Sequence, residues 1–370
     1  VNTRIFMTTD KFKSYTQIDQ IPGVSVVVIG LNVEQYISSC LQSVYNLDYP
    51  RELLEVIYVD SGSKDKTLDI LKRFPSVKVI KLGTKQPNAA KGRNAGWRAA
   101  NHDLIQFVDA DSYLDTRWLR TAIPQLKANV GAVAGILKER FPNRNLYHRM
   151  ANLEWNIRIG SGGWSIKDIE AKTFGGNVLI RRNILEKTDG YQQNLAAGED
   201  PDLSYRIRRM GYKIYRLNSM MATHDINISS LATFLKRTRR SGFVYGHLAL
   251  SYWREPERYM VKRSIAILLG AAAPLFIMLL SALLGYLGPG IILSLLLMFR
   301  LVFQAGHFSK VMSIPLSDAI IYSLYLAFCI FPQFMGVMDS LRKFSLFKPR
   351  HKPVTESNGA LPFNRVIQNI

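Results

Sequence analysis

The chain reads as an α/β domain with a mainly parallel sheet, followed by an amphipathic interface segment and a C-terminal transmembrane helical region. Three observations carry that reading. Between residues 24 and 108, short runs rich in Val and Ile alternate with segments of helical period, the pattern of right-handed βαβ crossovers. Two of these runs end in acidic turns, at Asp60 and at Asp109-Ala110-Asp111. Both turns then fall on the rim where open α/β sheets bind ligands. From residue 264 to 339 charges become few, and Leu, Ile, Ala, Phe and Met dominate.

Residues 24–30, Val-Ser-Val-Val-Val-Ile-Gly, are a Val-rich run of the kind expected of a buried strand. Helical period follows over 34–45. A strand is expected at 54–59, a helix at 66–74, a strand at 77–82, a helix at 89–100 and a strand at 104–108. Beyond residue 118 the pattern loosens, with strands expected at 131–137 and 178–181 and a helix at 200–210. Residues 229–260 mix Lys, Arg and aromatics, as in a helix lying on a membrane surface. The competing reading is a solvated basic helix packed on the domain. Three apolar stretches follow, 264–287, 291–303 and 316–338. The first is long enough to span, since about 20 helical residues cross a core of roughly 30 Å. Gly288-Pro289-Gly290 reads as a tight turn that makes the first two a hairpin. Arg300 would then sit near the cytoplasmic end of the second, as an anchor or a phosphate contact.

The 370 residues include 48 Lys+Arg against 28 Asp+Glu, a formal net charge of +20. That excess suits nucleic acid, an anionic membrane surface or phosphorylated ligands. Because basic residues cluster beside the apolar stretches, membrane lipids and phosphates are the expected partners and nucleic acid is set aside. Lys262 and Arg263 precede the first stretch, and Arg342, Lys343, Lys348, Arg350 and Lys352 follow the last. The positive-inside tendency puts both flanks in the cytoplasm, which needs an even number of crossings, yet three stretches are counted. Cys40 and Cys329 fall in different regions, so no structural disulfide is expected. Residues 1–22 hold no apolar core of signal type, so the domain that follows is expected to stay in the cytoplasm, anchored to the inner membrane.

The chemistry is expected at the acidic turns. Two carboxylates one residue apart at a strand end repel unless a cation lies between them. A divalent ion with oxygen ligands, Mg²⁺ or Mn²⁺, holding a diphosphate is the economical partner. Asp60 at its own strand end can accept from ribose hydroxyls or a base N–H, and Gly62 lets the backbone approach. Asp65 fits an N-cap of the next helix.

Taken in order, these motifs resemble inverting family 2 glycosyltransferases of GT-A fold, a Rossmann-like α/β architecture, over roughly residues 24–242. The run Asp60-Ser61-Gly62-Ser63-Lys64-Asp65-Lys66-Thr67 resembles the family's Asp-Asp-Gly-Ser-x-Asp-x-Thr turn, with Ser61 in place of the second acid. The resemblance implies that Asp60 and Ser61 help hold the nucleotide. Lys91-Gly92-Arg93-Asn94-Ala95-Gly96 is similar to the family's Ala-Arg-Asn-x-Gly helix start, which implies nucleotide-side roles for Lys91, Arg93 and Asn94. A plain amphipathic helix start is the competing reading. Asp109-Ala110-Asp111 resembles the metal-binding Asp-x-Asp, with Asp111 the direct ligand and Asp109 on the ribose or the metal shell. Gly175, Gly176 and Asn177 lie in a segment that resembles the acceptor side. Gly198-Glu199-Asp200 resembles the family's catalytic acid pair, with Asp200 the base. His224 matches the place of a further metal ligand in some GT-A enzymes, or is structural. Lys236-Arg237-Thr238-Arg239-Arg240 has the spacing of the Gln-x-x-Arg-Trp motif of processive synthases. Arg239 stands at the diphosphate-contacting arginine, and Arg240 replaces the tryptophan.

The implied function is transfer of one sugar from a nucleotide-sugar, a UDP-sugar, to a lipid-linked or glycan acceptor at the membrane. A processive polysaccharide synthase and a non-catalytic membrane scaffold are the alternatives. The expected organisation is an extension at 1–22, the catalytic domain at 23–228, the interface segment at 229–263, two or three transmembrane helices within 264–340, and a basic tail at 341–370.

Overall fold

The computed structural model describes residues 21–84, 86–157, 170–195, 197–286 and 288–344. Most of the expected N-terminal extension and basic tail lie outside these residues.

The first half is the expected βα alternation: β1 (Val24–Gly30), α1 (Ile37–Tyr45), β2 (Leu54–Asp60), α2 (Thr67–Leu71), β3 (Lys78–Lys81), α3 (Ala89–Ala99) and β4 (Leu104–Asp109). The loosely patterned region gives β5 (Ser112–Leu114), α4 (Trp118–Ala122), β6 (Val130–Glu139), α5 (Leu146–Ile157), β7 (Glu170–Ala171), β8 (Val178–Arg181), α6 (Arg182–Thr188), α7 (Glu199–Arg209) and β9 (Lys213–His224). One sheet runs β3-β2-β1-β4-β8-β6-β9-β5, with β7 added beside β9. Strands β3, β2, β1 and β4 are parallel, β8 is antiparallel to both neighbours, and β9 runs parallel to β6.

Register explains why the acidic turns meet. Gly30 of β1 pairs with Asp60 of β2, and Ile29 pairs with Asp109 of β4. Three parallel strands therefore end at one level, with both acids on one rim. The strands are fixed there by burial: Val24, Val26, Val27 and Val28 are fully enclosed, as are Ile57, Tyr58 and Val59. A side chain on Gly96 of α3 would overlap Val27, so this glycine sets how closely α3 lies on the sheet.

The helical base comprises α8 (Leu231–Tyr252), α9 (Val261–Leu283), α10 (Gly288–Met312) and α11 (Leu316–Phe344). Three of these, α9, α10 and α11, are long and apolar enough to cross a membrane. Gly288-Pro289-Gly290 begins α10 and is not a turn. Because α10 continues to Met312, Arg300 sits midway along it, a correction to its expected place near one end.

Helix α11 differs from the other two. Asp318 near its start pairs with Arg149 of α5, and Asp339 near its end takes two hydrogen bonds from Arg239 of α8, 2.6 and 2.9 Å. Its middle passes Gly270 of α9 through Ile330, while Ala319 and Tyr322 cluster with Ala305 and Phe308 of α10 and Met150 of α5. It thus packs at once against α8, α9, α10 and α5 of the catalytic domain. Glycines make the seam with α8 close: a Cβ on Gly242 would overlap the Gln333 carbonyl, and one on Gly336 the Arg239 carbonyl. The outer face of α11 carries Leu316, Ile320, Leu324, Phe328, Phe331 and Met335, all exposed at helical spacing.

Candidate active site

The rim gathers three carboxylates around one buried cation. Arg93, on α3, is 3% exposed; it donates from Nη2 to Asp109 Oδ1 at 2.8 Å and from Nη1 to Glu199 Oε1 at 2.9 Å. Asp200 Oδ1 lies 3.4 Å from Nη1. The guanidinium also sits 5.3 Å from the centre of the Tyr191 ring. Glu199 and Asp200 are presented by the first turn of α7, whose entry residue Gly198 has φ +89° and packs against Val244 of α8. The carboxylates at this helix start gain from the dipole as well as from Arg93.

Burial is the main cause of the site's unusual protonation. It pushes the Asp200 carboxyl up to about 8, with Arg93 opposing and the negative charges of Glu199 and Asp109 assisting. Asp109 is raised in the same way, burial first, Arg93 opposing and Asp111 adding to the shift. A carboxyl held near neutrality in a cleft is well matched to taking up a proton.

A metal side lies beside this group. His224 Nε2, at the end of β9, is 3.2 Å from Asp111 Oδ1. That oxygen and His224 Nδ1 are both buried without a hydrogen-bond partner. Two atoms about 3 Å apart match neighbouring ligands of one ion with bonds of about 2.1 Å. The orphaned oxygen, with Asp109 two residues away, therefore fits a divalent cation. Asn177 braces the turn, accepting from the Asp109 N–H at 3.2 Å and donating to Ser112 Oγ at 2.9 Å.

On the nucleotide side, Asp60 Oδ2 accepts from the N–H groups of Gly62 and Ser63, both at 3.0 Å, while its Oδ1 is buried without a partner. Ser61 lies across from Gly92 at the start of α3, half-buried. Asp65 accepts from the Thr67 N–H at 3.0 Å one residue ahead of the expected place, since the N-cap position of α2 is Lys66.

Several expected residues are placed elsewhere. Asn94 is buried beneath the rim, with its amide committed to Tyr191 and Trp97. Lys91 Nζ donates to the Gln86 carbonyl at 2.6 Å. Asn177 is buried and spent on the Asp109 turn, not offered to an acceptor. Gly176 leaves no room for a Cβ beside Asp109 Oδ2, whereas Gly175 is open. Arg239 is held by Asp339 and is not brought to the carboxylates. Its neighbour Arg237 acts on Asp111 and His224 instead. Residues two apart point to nearly opposite sides of a helix, so only one of these arginines can face the rim. Trp155 of α5, edge-on to His224 at 5.0 Å, is a further site neighbour that no sequence motif marks.

Residues 25–189 match the family model described as Glycosyl transferase family 2. Probable glycosyltransferase YdaM of Bacillus subtilis (strain 168) is 34% identical over 209 residues, 53% of this chain and 49% of that protein. The chain thus spans about half the length of that relative. A Methanococcus voltae protein, dolichyl N-acetyl-alpha-D-glucosaminyl phosphate 3-beta-D-2,3-diacetamido-2,3-dideoxy-beta-D-glucuronosyltransferase, is 24% identical over 236 residues, 60% of this chain and 73% of that one. Among solved structures, the mannosyltransferase PcManGT from Pyrobaculum calidifontis, in complex with GDP-Man and Mn²⁺, superposes with a TM-score of 0.62 at 19% identity, covering 87% of this chain and 88% of that one. The chain carries a glycosyl transferase family 2 domain of GT-A-like fold, joined to three apolar C-terminal helices.

Proposed function

We propose that this protein is a membrane-anchored, inverting glycosyltransferase that moves one sugar from a nucleotide-sugar, a UDP-sugar the first to test, to a polyprenyl-linked acceptor at the cytoplasmic membrane face. The observation that carries the reading is Asp200 gathered with Glu199 and Asp109 around the buried Arg93, on a rim that touches the helical base. In this reading Asp60 and Ser61 hold the nucleotide, and Asp111, Asp109 and His224 would hold Mg²⁺ or Mn²⁺. The ion, when bound, neutralises the departing diphosphate as a Lewis acid. Asp200 accepts the proton of the acceptor hydroxyl as that oxygen attacks the anomeric carbon from the face opposite the diphosphate. Arg93 fixes Glu199, Asp200 and Asp109 in one arrangement before substrate arrives. The dolichyl phosphate sugar named for the Methanococcus voltae relative supports a lipid-linked acceptor.

The base supports the membrane side of the reading. α9 and α10 cross as a hairpin, and α11 lies in the plane of the membrane face with its apolar stripe toward lipid. Two crossings return Lys262, Arg263, Arg342 and Lys343 to one side, which removes the conflict in the charge pattern.

The test is transfer from a panel of radiolabelled nucleotide-sugars into solvent-extractable lipid, using isolated membranes with and without Mn²⁺ or Mg²⁺. Metal-dependent label in lipid is the expected result. Label confined to insoluble polymer would overturn it. A cysteine at Lys343 should be labelled by an impermeant maleimide from the same side as one at Lys262, and from the side opposite Leu284.

A further inference from the structure

A second cavity lies where the catalytic domain meets the helical base. It has a volume of about 210 Å³ and is enclosed by α5, α8, α11 and the segment after β9. Tyr147, Trp155, Phe234 and Tyr325 give it an aromatic wall. Three of those rings form one packed set: Tyr147 stacks on Phe234 at 4.9 Å, and Phe234 meets Tyr325 at 5.4 Å. Arg237 is the cation in the lining, and Glu154 the carboxylate. Among the described residues, the Arg237 side chain makes no ion pair or hydrogen bond, unlike its neighbour Arg239, which Asp339 holds. Arg237 is exposed and feels the charge of Glu154, and with no hydrogen bond to another described side chain its guanidinium is open to an anion. The cavity shares Trp155 with the metal side, because that ring also packs against His224. Its opposite wall is α11, whose outer face is the exposed apolar stripe. The cavity therefore holds a cation and aromatic surface between the metal side and α11.

We propose that this cavity receives the phosphate head of a polyprenyl-type amphiphile, with the phosphate on Arg237 and the first isoprene carbons over the aromatic wall. The assignment rests on the lipid-acceptor reading above and names where that acceptor sits. The aromatic wall favours a lipid-borne phosphate over a free one, since the rings gain only from an apolar tail.

Equilibrium binding to the full chain in detergent micelles tests it with three radiolabelled probes: a polyprenyl monophosphate, the matching polyprenol and inorganic phosphate. The monophosphate lipid is expected to bind at least about tenfold more tightly than either other probe, the scale of one charge-assisted hydrogen bond plus apolar contact. Arg237→Gln should remove that advantage, and Arg237→Lys should recover part of it. Thermal melts identify any variant that has lost its fold. Equal binding of the lipid by wild type and Arg237→Gln would overturn the proposal. So would equal binding of polyprenol, or equal binding of inorganic phosphate, which would mark a plain anion site. The binding needs no sugar transfer. If the lipid binds as expected but no donor delivers sugar to it, the cavity assignment stands and the transferase reading fails. If sugar reaches lipid and Arg237→Gln leaves both KM for the lipid and its binding unchanged, the cavity assignment alone fails.

Discussion

The sheet domain and the helical base use charge in opposite ways. In the domain, Arg93 is 3% exposed and binds three carboxylates beneath a rim of enclosed apolar strands. In the base, Arg239 is 51% exposed and binds one carboxylate, Asp339, while large apolar side chains of α9 and α10 face outward. Both arginines look alike in a list of ion pairs, yet they do different work. The inner one sits where losing a partner strands several buried charges. The outer one fastens a helix end where water and ions screen it.

The largest effect expected from breaking the inner group is on catalysis. Asp200→Asn keeps the shape and removes the proton acceptor, so kcat should fall about 10³-fold with KM for the nucleotide-sugar little changed. Steady-state kinetics check this, and retained turnover would remove Asp200 from its role. Arg93→Met comes next. It leaves Asp109, Glu199 and Asp200 unpaired in a buried site, and should lower stability by about 3 kcal/mol or more, read by chemical or thermal unfolding. A melt close to that of wild type would mean that the carboxylates simply take up protons.

Changing pH gives a smaller, graded effect. The Asp200 carboxyl is held up at about 8, so below that value it carries a proton and cannot accept another. With saturating metal, kcat/KM reports the enzyme free of substrate and should rise with pH on the acid side, up to tenfold per unit, with a midpoint that the positive charge of the ion draws below about 8. Its stability contribution runs the opposite way. A folded value above the unfolded one stabilises fully below about 4, and that contribution is lost as pH rises toward about 8. A pH profile flat from 6 to 9 would contradict the assignment. The smallest effect belongs to the outer pair. Asp339→Asn should leave the thermal melt unresolved from wild type, because the pair is exposed and the glycine seam still holds α11 on α8.

Much of the domain was legible in the chain itself. Buried parallel strands read as continuous apolar runs, so β1, β2 and β4 could be placed to within a residue or so, and the acids at Asp60 and Asp109 with them. The pair Glu199-Asp200 was legible because acids collect at a helix start. The antiparallel half was harder. β5 and β7 have three and two residues and no period of their own, and they exist only because β9 offers them an edge. Asn94, Asn177 and Arg93 were readable as polar residues near a site, but their task is to brace it, since burial and register turn them inward.

The amino-acid sequence by itself determined the succession of strands and helices in the first half of the domain, the acidic turns, the carboxylate pair and the presence of three long apolar stretches. Each of these depends on local period or neighbouring residues. Tertiary structure decided which arginine of Lys236-Arg237-Thr238-Arg239-Arg240 faces the rim, because helix phase has meaning only once α8 is docked against α11. It also decided that α11 is fastened near both ends, Asp318 to Arg149 of α5 and Asp339 to Arg239 of α8, because hydropathy and length carry no information about such distant partners.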